Sequence, residues 1–120
     1  MKEISIGELE ARFADIIWEN EPIRSGELSK RAEEALNWKK TTSFTVLRRL
    51  CDKGIFRNDS GIVTSRMSKD EFKALRTEQF IDGTFEGSLP AFLAAFTSRK
   101  SLSREEVEEL RRMVEEHSEV

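Results

Sequence analysis

The chain has 120 residues, of which 38% are hydrophobic and 36% are charged, and its formal net charge is −3. This length suits one small domain with an appended segment, and no apolar run approaches the roughly 18 residues that a membrane-spanning helix needs. The sequence does not open with a basic region followed by an apolar stretch, so we expect no signal peptide, no membrane insertion and a cytoplasmic location. The single cysteine, Cys51, cannot form an internal disulfide, and we expect a small buried side chain rather than a redox sensor.

The first half of the chain has the pattern of three helices followed by a β-hairpin. Gly54 is a natural residue just beyond the end of the third helix, and Asn58-Asp59-Ser60-Gly61 is a dense turn signal between two β-rich stretches. The predicted elements are helices over about 8–20, 25–36 and 40–53 and strands over 55–57 and 62–65. The inward stripes are Leu9, Phe13, Ile16 and Ile17 in the first helix and Ser43, Val46, Leu47 and Leu50 in the third. This order is that of a winged helix-turn-helix.

The second half of the chain predicts three more helices from their capping signals. Ser68 with Glu71 and Ser103 with Glu106 match the capping box, and Ser88 can cap the helix between them. We therefore predict a mainly α protein with a DNA-binding winged helix over 1–67 and a helical dimerisation domain over 68–120. The apolar residues of the second half are more numerous than a small tail needs, which favours an interface between two chains over packing within one chain. The predicted interface consists of Phe85, Leu89, Phe92, Leu93, Phe96, Val107, Leu110 and Val114.

Positive charge concentrates in the middle of the chain. Residues 30–66 carry nine basic and four acidic residues, a net charge of +5, whereas residues 71–120 carry seven basic and eleven acidic residues, a net charge of −4. A helix that reads the major groove presents short polar and basic side chains near its N-terminus, as the third helix does, although an ordinary solvated helix can share this pattern. The candidate DNA-binding residues are Lys39, Lys40, Thr41, Thr42, Thr45, Arg48, Arg49 and Arg57.

Several stretches of the sequence resemble the BlaI/MecI family of repressors, which also includes the copper-responsive CopY proteins. Residues 38–54, WKKTTSFTVLRRLCDKG, resemble the family's W-x-x-x-T-x-x-T-x-L-x-R-L-x-x-K-G. Residues 85–96, FEGSLPAFLAAF, resemble its F-x-G-S-x-x-x-L-x-x-x-F. Residues 6–10 resemble the family's opening Leu-Thr-x-x-Glu, and residues 102–116 resemble its closing helix, so the resemblance covers roughly 6–116.

The resemblance implies a homodimeric transcriptional repressor whose winged helices bind a palindromic operator in double-stranded DNA. It also implies that the last helices of the two chains form the dimer interface. In the antibiotic-responsive members, a membrane sensor metalloprotease triggers cleavage of the repressor within the block that corresponds to 85–96. The matching bond in this chain is Ala95–Phe96, and its cleavage would weaken dimerisation and DNA binding.

Enzymatic, metal-binding and cofactor functions are not predicted. The sequence has no nucleophile elbow, phosphate-binding loop or metal-binding helix motif, and the only histidine, His117, lies in an acidic tail. The cysteine-rich metal motif of the copper-responsive members is absent. We therefore expect no enzyme, no metal site and no cofactor.

Two alternative functions remain open from the sequence. A winged helix can bind another protein and no DNA, for which the evidence is the short wing and Phe44, which stands where the family's reading helix often has a basic residue. A helix-turn-helix of another regulatory family would bind a small molecule, but no pocket-forming pattern supports it. The basic and small polar residues of 39–49 favour DNA over either alternative.

Overall fold

The predicted mainly α fold with a winged helix-turn-helix is confirmed by the computed structural model, which describes residues 6–119. Three helices and a small antiparallel sheet come first along the chain, and three further helices follow. The elements are α1 (Glu8–Asn20), β1 (Ile23–Arg24), α2 (Ser25–Leu36), α3 (Lys40–Asp52), β2 (Phe56–Asp59), β3 (Ile62–Ser65), α4 (Lys69–Phe85), α5 (Leu89–Arg99) and α6 (Arg104–Glu116).

The sheet has one more strand than the predicted hairpin. Its order is β1-β3-β2, and β1 pairs with β3 through Ile23 opposite Val63. Two residues are too few to show the alternation that identifies a strand in a sequence, so β1 could not be predicted from its pattern. A side-chain contact lies beside this pairing, between the residues that precede β1 and the end of β3. The Glu21 carboxylate accepts hydrogen bonds from the backbone N–H and the hydroxyl of Ser65, at 2.9 and 2.8 Å.

A single hydrophobic core joins the first three helices, the sheet and the start of α4. Trp18 of α1 packs its ring against Phe56 of β2 and Phe72 of α4, with centroid distances of 5.0 and 5.5 Å. Its indole Nε1 donates a 3.1 Å hydrogen bond to the backbone carbonyl of Met67. Because one side chain contacts a helix, a strand and the segment that leads into α4, it fixes the entry of α4 into this core.

The inward residues were predicted correctly for α3 and only in part for α1. Ser43, Val46, Leu47 and Leu50 are all buried, as predicted. In α1, Phe13 and Ile17 are buried, but the prediction for Leu9 is wrong because its side chain is 50% exposed. Leu9 lies in the first turn of α1 and is not among the core residues or the partly buried residues packed against the core.

The capping predictions of the second half are confirmed. Glu71 N–H donates to the Ser68 hydroxyl at 3.0 Å, and the Ser103–Glu106 capping box is complete in both directions. The Ser88 hydroxyl accepts from the N–H of Ala91 at 3.1 Å. These caps satisfy N–H groups in the first turns of the three helices, whose residues are almost all exposed to solvent.

The chain divides into two compact units, one up to Gln79 and one from Phe80 onward. The first turns of α4 belong to the first unit, since Phe72 lies in its core. In the second unit no residue between 80 and 119 is buried. Across the described residues 6–119, no helix has the length and apolar character needed to cross a membrane. The division of function at 67/68 stays a prediction.

Candidate nucleic-acid interface

The burial of one side of α3 leaves its opposite side polar and open. Val46, Leu47 and Leu50 lie in the core, and at 100° per residue the opposite side carries Thr41, Thr45 and Arg48, all exposed. We call these three residues, with Lys39 and Lys40 at the start of the helix, the reading face. The predicted residues of this set therefore lie together on one surface.

The N-terminal end of α3 is suited to an anion. Lys39 is the N-cap residue and has an extended backbone, and its side chain makes no capping hydrogen bond. The first backbone N–H groups of α3 therefore receive no side-chain cap from Lys39, and the helix dipole adds partial positive charge there. With the exposed ammonium groups of Lys39 and Lys40 beside them, these N–H groups form a natural contact for a phosphate.

The threonines of the reading face differ in what they offer to a ligand. The Thr45 hydroxyl donates a 2.9 Å hydrogen bond to the backbone carbonyl of Thr41. Its hydrogen is therefore used within the helix, while its methyl group and its acceptor lone pair remain available. Thr41 is exposed and its hydroxyl is free to rotate toward an incoming group.

Arg49 is placed differently from the rest of the predicted DNA-binding residues. Its guanidinium forms an ion pair with Glu10 of α1, and the two side chains are 49% and 19% exposed. Thr42 precedes Arg49 by two helical turns and is exposed on the same side of α3. The second oxygen of Glu10 is buried and has no hydrogen-bond partner among the described residues. The Glu10–Arg49 pair thus connects α1 with α3.

Arg57 is the one predicted DNA-binding residue on the hairpin. Its guanidinium lies 2.8 Å from the Asp59 carboxylate, and both side chains are well exposed. An exposed pair of this kind contributes little to stability. Arg57 can therefore exchange Asp59 for another anion, although Asp59 also places a negative charge beside any phosphate that approaches the wing.

Two basic residues near the N-terminal end of α2, Arg24 and Lys30, were not predicted from the sequence. Arg24, Lys30 and Lys40 line a cleft of about 940 Å³ together with Ser25, Gly26, Glu27, Ser29, Glu33 and Gly61. The Ser25 N–H donates to the Gly61 carbonyl at 2.8 Å, which holds the start of α2 against the hairpin turn. The signal was available in the helix-turn-helix order itself, because the helix before the reading helix crosses the DNA backbone.

A second surface, in the unit from Phe80 onward, is apolar. Four aromatic rings form a continuous cluster, with centroid distances of 5.8 Å for Phe85–Phe92 and 6.4 Å for Phe92–Phe96. Phe80 is 52% exposed and Phe96 is 45% exposed, and Val114 of α6 is 64% exposed. All eight predicted interface residues lie in this unit and none is buried. We call these eight residues and Phe80, which the sequence analysis missed, the C-terminal apolar face.

The bond predicted for cleavage, Ala95–Phe96, lies within α5. Both residues are exposed.

Within the part of the chain that the structure describes, no group of three or more His, Cys, Asp or Glu side chains could hold a metal ion.

Comparisons with known proteins agree with this architecture. The sequence model of the penicillinase repressor family matches residues 6–116. The chain is 26% identical to the penicillinase repressor of Bacillus licheniformis over 122 residues, an alignment that covers 98% of this chain and 95% of that protein. It is 25% identical to the methicillin resistance regulatory protein MecI of Staphylococcus aureus over 117 residues, covering 94% of this chain and 95% of that protein. The resemblance found in the sequence is therefore confirmed.

The Glu10–Arg49 pair predicts a coupled effect on stability. Glu10→Gln and Arg49→Ala should each lower the free energy of unfolding by about 0.5–1 kcal/mol, because the Arg49 side chain is half-exposed and solvent partly screens the pair. The double variant should be no less stable than the less stable of the two single variants. Urea denaturation of all three variants would measure these free energies. Arg48→Ala is the matched control, since Arg48 makes no such pair among the described residues and should leave stability unchanged. Additive losses in the double variant would show that the two side chains act independently.

Proposed function

This chain belongs to the penicillinase repressor family, whose members are transcriptional repressors and not enzymes, and we propose that it acts in the cytoplasm as a homodimer on a palindromic DNA operator. The observation that carries this proposal is the reading face, where exposed threonines, lysines and Arg48 stand opposite a fully buried apolar side. Arg and Thr side chains contact base edges in the major groove, and lysines near a helix start hold phosphates.

Contacts with the DNA backbone extend beyond α3 in this proposal. Arg24 and Lys30 share the cleft at the start of α2 with Lys40 of the reading face. Phosphate contacts from these residues would set the register of the protein on the duplex without reading its sequence. The reading face would then supply the base contacts that select the operator.

Two copies of the chain are needed because one winged helix has a small contact area on DNA. A single winged helix neutralises only a few phosphates, so its affinity for DNA is modest and falls steeply with salt. Joining two copies makes the second binding event intramolecular, which raises the overall affinity by orders of magnitude. Two symmetric copies also require an operator with matching symmetry.

The C-terminal apolar face is the evidence for a second copy of the chain. A unit of about forty residues in which no side chain from 80 to 119 is buried cannot bury enough apolar surface to stabilise itself, and an aromatic cluster this exposed marks an interaction surface. A second copy of the same face would cover it symmetrically. We therefore assign the predicted interface residues to contacts between two chains.

Proteolysis offers a route to release the operator. Cleavage of Ala95–Phe96 would separate Phe96 and all of α6 from the rest of the chain, and with them a large part of the C-terminal apolar face. We propose that a protease activated by a membrane sensor metalloprotease, or that sensor itself, acts on this bond. Because the reading face stays intact, the loss of DNA binding would come from loss of the dimer alone.

The reading face predicts which substitutions weaken DNA binding. Lys40→Ala and Arg48→Ala should each reduce affinity for a duplex that the chain selects from a randomised pool, by about tenfold in fluorescence anisotropy. The magnitude of the slope of log K against log salt should fall by about 0.9 for every phosphate that the variant no longer neutralises. Lys73→Ala, on exposed α4, is the matched control and should bind as the unchanged protein does. Unchanged binding by both α3 variants would contradict the reading face.

The apolar face predicts the effect of a charge within it. Phe96→Asp should weaken dimerisation on the order of 100-fold in sedimentation equilibrium, because an unpaired carboxylate would be removed from water at the interface. Ser98→Asp places the same charge on α5 about 200° around the helix from Phe96 and should leave the dimer intact. If the Phe96→Asp protein remained as dimeric as the Ser98→Asp protein, Phe96 would lie outside the interface.

The cleavage proposal predicts the behaviour of a truncated chain. Protein that ends at Ala95 should sediment as a monomer and bind the selected duplex much more weakly than the full chain. Its circular dichroism spectrum should still show the helical signal of α1–α3. Fusing the truncated chain to an unrelated dimeric coiled coil should restore part of the affinity, because the reading face is unchanged. A truncated chain that binds the operator as tightly as the full chain would exclude this route of release.

A further inference from the structure

Phe44 is an aromatic side chain on α3 that the fold does not use. It is half-buried, yet it belongs neither to the core nor to the partly buried residues packed against the core. At 100° per residue it lies between the buried stripe of α3 and the reading face, on the side of Arg48. An apolar ring at this position needs an explanation other than the stability of the protein.

The ring borders a small apolar hollow between α3 and β2. The hollow has a volume of about 290 Å³, and its lining residues are Phe44, Leu47, Arg48, Cys51 and Asn58. Burial, reinforced by the charge of Asp52, raises the pKa of the Cys51 thiol, so the side chain is uncharged at neutral pH and adds to the apolar wall. The Asn58 side chain is turned to its own hairpin, where its Oδ1 accepts from the Gly61 N–H at 2.9 Å.

Positive charges stand on both sides of the ring. The Lys40 ammonium lies 5.8 Å from the centroid of the Phe44 ring, one helical turn before it. Arg48 lies one turn after it and lines the same hollow. An apolar recess flanked by cations matches the major groove of DNA, where the C5-methyl group of thymine lies between two walls of phosphate.

We propose that the α3–β2 hollow receives the 5-methyl group of one thymine in each operator half-site, and that Phe44 is the residue that selects this base. The proposal rests on the DNA-binding function proposed above. Phenylalanine recognises thymine by apolar contact with the methyl group and makes no hydrogen bond to the base. Selection therefore depends on the methyl group alone, which cytosine and uracil lack.

Replacing thymine by uracil tests this contact without changing any hydrogen bond. In a duplex that the full-length chain selects from a randomised pool, each thymine is replaced in turn by uracil and the dissociation constant is measured. One position in each half-site should lose about fourfold in affinity, the value expected for the burial of one methyl group. A protein that binds no duplex at all would overturn the proposed function, whereas DNA binding with no loss at any uracil would overturn only the present inference.

Two variants locate the contact on the protein. Phe44→Ala should bind thymine and uracil equally at the selected position, and it should fold because the ring lies outside the core. Thr45→Ser is the matched control, since it removes a methyl group from the adjacent reading-face residue and keeps the hydroxyl bond to Thr41. If Thr45→Ser abolished the discrimination between thymine and uracil and Phe44→Ala preserved it, the thymine methyl group would contact Thr45 and not the hollow beside Phe44.

Cys51 provides an independent measure of whether bound DNA covers the hollow. It is the only cysteine of the chain, so alkylation by N-ethylmaleimide reports on this wall alone. The selected duplex should slow alkylation several-fold, and the duplex with uracil at the critical position should slow it less. Alkylation at the same rate with and without bound duplex would show that the hollow stays open in the complex, and Phe44 would then be available to a protein partner instead.

Discussion

The orientation of α3 depends on the burial of Val46, Leu47 and Leu50 in the core, where α3 packs against α2 and β2. Each of these side chains contributes about 1.5–3 kcal/mol when fully buried, so their stripe decides which way the helix faces. The Glu10–Arg49 pair adds a polar constraint on the same rotation. Because the inward side is fixed in this way, the threonines and basic residues of the reading face can only point to solvent. The proposed DNA contacts and the core contacts are therefore made by opposite sides of a single helix.

In the second unit, unlike in α3, the apolar side chains are not buried within one chain. Its helices are well capped, and yet its aromatic cluster and the apolar side of α6 remain exposed. The caps define where α5 and α6 begin, but no side chain of either helix is buried within one chain. The first unit has its own core, which orients α3, whereas no side chain between residues 80 and 119 is buried. In the proposed dimer, a change in assembly would alter DNA affinity without altering any residue of α3.

Much of this could be predicted from the sequence because the signals are local. The capping boxes at Ser68 and Ser103 and the inward stripe of α3 depend on residues three or four positions apart, and the structure confirms each of them. What could not be predicted depends on residues distant along the chain. The Glu10–Arg49 pair and the β1–β3 pairing of Ile23 with Val63 join segments that are about forty residues apart. The prediction that Leu9 is buried was wrong because its position in the helical pattern faces inward, whereas its exposure depends on which distant parts of the chain pack there.

The most direct test of the account is a selection of DNA by the pure protein from a randomised duplex pool, at two salt concentrations, with its mass measured by sedimentation equilibrium. If two copies of the reading face bind symmetric DNA, the protein should sediment as a dimer and enrich palindromic duplexes, with an affinity that falls steeply as salt rises. A dimer that retains no duplex even at low salt would contradict it, because the reading face would then have no nucleic acid to read.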